Sequence, residues 1–337
     1  MSITRCGLGA VALLAALPAF ADGEVNLYSS RHYDTDERLY SDFTEATGIA
    51  INRIEGDADE LIARMQAEGA NSPADVLLTV DTSRLARAKD AGVLQPVNSE
   101  VLEERVPSNL QDADNQWFGF SQRSRIIFYS KDRVANPPQT YDALADPEYK
   151  GKICIRSSSN SYNQTLLAAI VTHEGEEAAT DWAKGVVENM ARDPQGGDTD
   201  QLKGLVSGEC DIAVSNTYYF ARAIAGPVDG VTEGLDGIGW VFPNQDGNGA
   251  HMNLSGGGMA ANAPNPENAL KFLEYLASDS AQKYFAGGNN EYPVVESVET
   301  TEAVDKLGAF KADTVDLSEV ALNIPVAQKI FNEVGWK

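Results

Sequence analysis

The chain has 337 residues, 43% of them hydrophobic, with 26 Lys+Arg against 50 Asp+Glu and a formal net charge of -24. That length exceeds what one hydrophobic core usually organises, so two lobes are expected. The acidic balance excludes nucleic acid and anionic membrane surfaces as partners, since both reward aligned Lys and Arg, and 3 His are too few for a His-rich metal enzyme.

Residues 1–21 carry one charge, Arg5, then an apolar run through Val11, Leu13, Leu14 and Leu17, and end in Ala19-Phe20-Ala21. This is the pattern of a secretory signal peptide cleaved after Ala21, which points to the periplasm. The run is too short to span a bilayer, and no later stretch holds the roughly 20 apolar residues that a membrane helix needs. A soluble mature chain without a transmembrane segment is expected. Cys6 leaves with the signal. Cys154 and Cys210 then lie in an oxidising compartment, where an even pair reads as one structural disulfide, worth roughly 4 kcal/mol on the chain-entropy model. A thiolate metal site would need a clustering that their spacing lacks.

Short apolar runs alternate with helical periods along the mature chain. Val25 to Tyr28 reads as a strand, and Leu39, Tyr40, Phe43 and Ala46 share one helical face. Ile49 to Ile54 is the next strand, followed by a helix with Leu61, Ile62 and Met65. Asp75 to Val80 is nearly all apolar, as a strand covered on both faces would be, and a helix from Ser83 to Ala91 stops at Gly92. The alternation restarts at Phe118 to Tyr129, a long strand-like passage. Strands at Ile153 to Ile155 and Ile212 to Val214 and helices at Thr165 to His173 and Ala178 to Met190 complete a second α/β unit. Gly239 to Phe242 reads as a return strand, and Ala269, Phe272, Leu273 and Leu276 as a helix. Pro137-Pro138 and the Gly/Asn-rich passage from Pro243 to Gly258 read as loops. The expected fold is therefore α/β, with mixed, mostly parallel sheets in two lobes around a hinged cleft. The lobes are drawn at 22–120 with about 240–285, and at 121–239 with about 286–337.

Open α/β sheets bind ligands at the C-terminal ends of their strands. Three such ends carry tyrosine: Ser29 to Asp34 with His32 and Tyr33, Ser157 to Asn163 with Tyr162, and Ser215 to Tyr219 with Tyr218 and Tyr219. Phenolate oxygen is a hard anionic donor and matches hard, highly charged ferric iron. Single tyrosines at strand ends are more often amphipathic core-edge residues, and aromatic clusters also stack sugars or cage cationic amines; the coincidence in three loops favours the metal. No HExxH, GxSxG, P-loop or GxGxxG occurs, and His173 and His251 show no spacing that pairs them with a nucleophile, so a secreted hydrolase lacks its constellation. Ser157 to Ser161 could cradle an oxyanion or simply cap a helix.

The stretches Tyr28-Ser29-Ser30-Arg31-His32-Tyr33, Glu55-Gly56-Asp57-Ala58-Asp59, Ala91 to Val97, Asn216-Thr217-Tyr218-Tyr219 and Asn289 to Val294 resemble the periplasmic ferric-iron-binding proteins of ABC importers, within the type 2 solute-binding superfamily. The resemblance covers essentially the whole mature chain. It implies a non-enzymatic, monomeric receptor that captures Fe(III) and delivers it to an ABC permease in the inner membrane. By the same resemblance Tyr33, Tyr162, Tyr218 and Tyr219 fall at the iron-ligating positions and His32 where some members place a further ligand. A synergistic anion, carbonate or citrate, completes the shell in some members. Four phenolates against a trivalent ion leave negative charge to offset, for which Arg123 and Arg222 are the candidates. The alternative is the same fold binding an organic cation, sugar or oxyanion.

Overall fold

The computed structural model describes residues 23–31 and 36–337; the signal peptide read at 1–21 lies outside them. The first unit runs β1 (Glu24–Ser29), α1 (Asp36–Thr47), β2 (Ala50–Glu55), α2 (Ala58–Glu68), β3 (Val76–Val80) and α3 (Thr82–Asp90), then α4 (Glu100–Arg105). All five residues of β3 are buried, which is why its sequence shows no polar alternation. Side-chain caps start the helices: Asp57 accepts from the Asp59 amide before α2, and Ser99 from the Leu102 amide before α4, each satisfying a donor the helix leaves open.

The second unit contains β4 (Phe118–Ser130), β5 (Ile153–Cys154), α5 (Ser161–Glu174), α6 (Glu176–Asn189), α7 (Asp198–Ser207), β6 (Ile212–Asn216), α8 (Thr217–Ala225) and β7 (Ile238–Val241). The chain then returns through β8 (Met252–Met259), α9 (Pro266–Leu276), α10 (Asp279–Asn289) and β9 (Tyr292–Pro293), and ends in α11 (Glu302–Asp305), α12 (Leu317–Leu322) and α13 (Ile324–Val334). None of these helices is long and apolar enough to cross a membrane.

The strands lie in the order β2-β1-β3-β8-β4-β6-β5, with β7 and β9 also paired to β4. Residues 118–124 of β4 pair with β8, and residues 125–130 with β6 and β7. One strand thus leaves the sheet of the first lobe and enters that of the second, giving a two-lobed α/β architecture. Among the named strands of the described residues, parallel pairing joins β2-β1-β3 and β5-β6. Every pairing that involves β4 or β8 is antiparallel, so the sheets are mixed with a larger antiparallel share than a βαβ reading suggests. The cause is that β4 and β8 are passage strands that run between lobes, and crossover helices do not connect them. A disulfide joins Cys154 to Cys210 with Cα atoms 5.8 Å apart, tying β5 to the residues that lead into β6.

The passage from Pro243 to Gly258 is not all loop. Its second half is β8, buried at every position and inserted between β3 and β4. Its glycines mislead because they are required by crowding and not by a turn. A Cβ on Gly256 would lie 2.4 Å from the Phe118 carbonyl oxygen, on Gly257 2.6 Å from that of Leu77, and on Gly258 2.1 Å from that of Gln116. Backbone approaches this close exclude side chains.

His251 precedes β8 where the two sheets meet. It is buried, its amide donates to the Tyr141 hydroxyl at 2.9 Å, and its carbonyl accepts from the Ser124 hydroxyl at 3.0 Å and the Arg125 amide at 3.2 Å. Neither ring nitrogen has a hydrogen-bond partner among the described residues. Burial pushes the imidazole down to about 4, with Asp313 and Asp81 opposing the shift and Arg125 and His173 adding to it.

Two outcomes follow from this packing. Gly258→Ala should lower the unfolding free energy by about 1–3 kcal/mol or more through overpacking, measured by urea denaturation; an unchanged midpoint would show that the Gln116 carbonyl can yield. The imidazole of His251 is neutral when folded but titrates near 6.5 when unfolded, so the folded state binds fewer protons. Its contribution is present above pH 6.5 and is lost as pH falls towards 4, by about 3 kcal/mol in all. A His251→Gln variant should lose that part of the acid slope, and an identical slope in both proteins would contradict the assignment.

Candidate metal centre

Three of the predicted tyrosines converge. Tyr162 is the second residue of α5, and Tyr218 and Tyr219 lie in the first turn of α8, so they sit on helix starts where the sequence suggested loops. The Tyr162 and Tyr218 hydroxyl oxygens are 3.3 Å apart. The Tyr218 and Tyr219 rings lie with centroids 4.2 Å apart at 30°. Tyr162 and Tyr218 are buried, while Tyr219 is partly exposed. Tyr162 and Tyr219 line a cleft of about 630 Å³ that also takes in Ser30, Arg31, Glu55, Asp57, Arg84 and Arg156. His32 and Tyr33 lie outside the described residues, though Ser30 and Arg31 before them reach the cleft wall.

What brings the tyrosines together is a side chain that sequence reasoning did not single out. Arg125 is buried on β4. Its Nε and Nη2 donate to the Asn163 side-chain oxygen at 3.2 and 2.8 Å. Its Nη1 donates to Asp198 at 3.0 Å and to the Asn216 side chain at 3.1 Å. Asn163 follows Tyr162, Asp198 opens α7, and Asn216 caps α8 two residues before Tyr218. Asp198 also accepts the Asn216 amide at 2.8 Å, and Asn163 donates to the Arg156 carbonyl at 2.6 Å. One guanidinium therefore fixes the starts of three helices. The available signal was the pair Arg123 and Arg125, two positions apart in a strand with apolar ends and hence on one side of it.

Both arginines predicted near the site are found beside the phenols. Arg123 is buried, donates from Nη2 to the Ser255 hydroxyl at 2.9 Å, lies 3.6 Å from Glu291, and has its guanidinium carbon 5.9 Å from the Tyr218 ring centre. Arg222 is exposed and lies 5.8 and 5.6 Å from the Tyr218 and Tyr219 rings. Arg156 and Arg125 lie 5.5 and 5.9 Å from the Tyr162 ring. Positive charge is thus gathered around the phenols of a strongly acidic chain. Among the described residues no group of three or more His, Cys, Asp or Glu is placed to hold a metal ion. The phenol oxygens of Tyr162 and Tyr219 are hard donors in this cleft beside the carboxylates of Glu55 and Asp57, and the guanidinium groups can offset the charge of phenolates or bind an anion bridging to a cation.

The family model for bacterial extracellular solute-binding proteins matches residues 38–312. The chain is 49% identical over 337 residues to Iron uptake protein A1 of a Synechocystis species, covering 99% of this chain and 93% of that protein. Among solved structures it is similar to Trichodesmium FutA (IdiA) in complex with iron and citrate, with a TM-score of 0.89, 50% identity and coverage of 94% of this chain and 100% of that one. It is also similar to the ferric binding protein of Campylobacter jejuni, with a TM-score of 0.88, 42% identity and coverage of 93% and 100%.

Proposed function

The chain belongs to the bacterial extracellular solute-binding proteins, a non-enzymatic class, and from that premise we propose that its solute is ferric iron. The observation that carries the reading is the 3.3 Å approach of the Tyr162 and Tyr218 hydroxyls beside Tyr219 in a cleft between the lobes. Two phenols at that distance share one proton donor when neutral; with both deprotonated, their oxygens need a cation between or beside them. Ferric iron supplies the highest charge among the common candidates and prefers hard oxygen donors. In this reading Tyr162, Tyr218, Tyr219 and, from the first lobe, Tyr33 provide the phenolates. His32 adds a ligand in some members of the family and is retained as a candidate.

The excess negative charge of four phenolates is offset by Arg123, which is buried, and by Arg222, which is exposed. Arg84 and Arg156 on the cleft wall could hold citrate or carbonate against the metal. The lobes of this reading are 22–120 with about 240–285 and 121–239 with about 286–337, joined through β4 and β8. Cleavage after Ala21 releases a monomer into the periplasm, and the loaded form delivers its iron to an ABC permease of the inner membrane. Because each phenol must lose a proton to bind, acidification weakens the complex. Ferrous iron, with lower charge, binds more weakly.

Titration of the metal-free protein with ferric citrate should give a visible phenolate-to-iron charge-transfer band that saturates at one metal per chain. Absence of that colour would favour another solute. Tyr219→Phe keeps the ring packing and removes one donor oxygen; it should weaken ferric binding by at least tenfold, shift the band, and leave the thermal midpoint within a few degrees. Unchanged affinity with altered folding would contradict the ligand assignment.

A further inference from the structure

Away from the tyrosines, the lobes also meet where α3 faces α5. Asp81 ends β3 and caps α3, and it holds φ 93 and ψ 131. Positive φ is costly for a residue with a Cβ and persists only where the surroundings enforce it. Here they do. The Asp81 amide donates to the Leu254 carbonyl at 2.8 Å. Its Oδ1 accepts from the Ser83 amide at 2.8 Å and the Thr165 hydroxyl at 2.7 Å, and its Oδ2 from the Asn253 side chain at 2.6 Å. Asp81, Thr165 and Asn253 are all buried. One turn along α3, Arg84 Nη1 donates to the Ser161 hydroxyl at 3.0 Å, and its Nε has no hydrogen-bond partner among the described residues.

Ser161 and Thr165 are four apart on α5 and so share one face. Tyr162 stands beside Ser161. Two of the bonds named above therefore join α3 of the first lobe to the tyrosine-bearing helix of the second, and the remaining bonds of Asp81 stay within the first lobe. A rotation that parts α3 from α5 would break the Thr165 and Ser161 bonds and no others in this group.

We propose that Asp81 and Arg84 are positioning residues: through Thr165 and Ser161 they latch α5 to α3, hold the Tyr162 hydroxyl at the metal, and set how slowly the metal leaves. The latch rests on the ferric reading given above. It acts on no ligand atom directly. Its energy lies in a charged acceptor bonded by a buried hydroxyl, a kind of hydrogen bond stronger than a neutral one, and in the Asp81 conformation that this bond helps to maintain.

The experiment compares wild type with Ser161→Ala, Thr165→Val and their combination, all of which leave the site's charge unchanged. Each iron-loaded protein is mixed with excess chelator and the decay of the charge-transfer band is followed. The double variant should release iron on the order of tenfold faster or more, with the band at its wild-type position because the ligands are untouched. Thr165→Ser, which restores a hydroxyl, should return the rate towards wild type. Small-angle scattering of the metal-free proteins provides an independent arm: the double variant should have the larger radius of gyration. Should loss of the Thr165 hydroxyl unfold the protein, Ser161→Ala carries the test alone, since alanine is well tolerated in a first helical turn. Wild-type release and scattering in the variants, or a Thr165→Ser protein that behaves like Thr165→Val, would overturn the latch. If the wild type took up no ferric iron, the proposed function would fall while the scattering arm would still decide the latch.

Discussion

The arrangement depends on one buried guanidinium. Arg125 sits in the strand that crosses between lobes and bonds at once to Asn163, Asp198 and Asn216. Those three residues govern the first turns of α5, α7 and α8. A buried arginine is expensive unless its donors are met, and its removal would leave the Asp198 carboxylate buried without that partner. The fold therefore cannot shift one of the tyrosine-bearing helices without disturbing the other. That is the requirement of a site built from oxygens on separate chain segments, which must meet within a few tenths of an ångström.

Charge follows the same logic on a larger scale. The chain carries a formal net charge of -24, yet guanidinium groups from residues 123, 125, 156 and 222 lie within 6 Å of the three phenol rings. An acidic net charge discourages association with anionic membranes, and Arg123 and Arg125, buried beside the phenols, act where the dielectric is low. In the proposed ferric site these guanidinium groups would offset part of the negative charge of the phenolates.

The strand and helix alternation is legible because buried parallel strands such as Val76–Val80 are apolar throughout and the helices between them keep one apolar face. Legibility fails where backbone, not side chains, fills the space. Strand β8 carries Gly256, Gly257 and Gly258 since neighbouring carbonyls leave no room for a Cβ, and composition rules read the same letters as a loop. Helices α10 to α13 escape for another reason: they pack on surfaces contributed by distant residues, as when α13 lies against α5 and α6. At the site, Tyr162, Tyr218 and Tyr219 are legible from their residue type at strand ends. Arg125 is not, because its partners lie 38, 73 and 91 positions away and no local pattern announces them.

Strand β4 shows how the demands of fold and site are reconciled. Its ends, Phe118 to Phe120 and Ile126 to Phe128, are apolar and buried, and its middle, Ser121 to Arg125, is polar and, save for Gln122, buried as well. A strand under pressure for stability alone would be apolar throughout. Each polar residue in the middle has a specific acceptor or donor: Ser121 bonds to Glu291, Arg123 to Ser255, Ser124 to the His251 carbonyl, and Arg125 to the helix starts. The polar stretch coincides with residues 124 and 125, where pairing passes from β8 to β6. Hydrophobic packing anchors the strand in each lobe, and directional bonds occupy the segment between. Such bonds have a narrow range of favourable geometries, whereas apolar contacts slide. A crossing segment built from them admits few discrete arrangements of the lobes, and a receptor that must alternate between holding and releasing its cargo needs that kind of bistability.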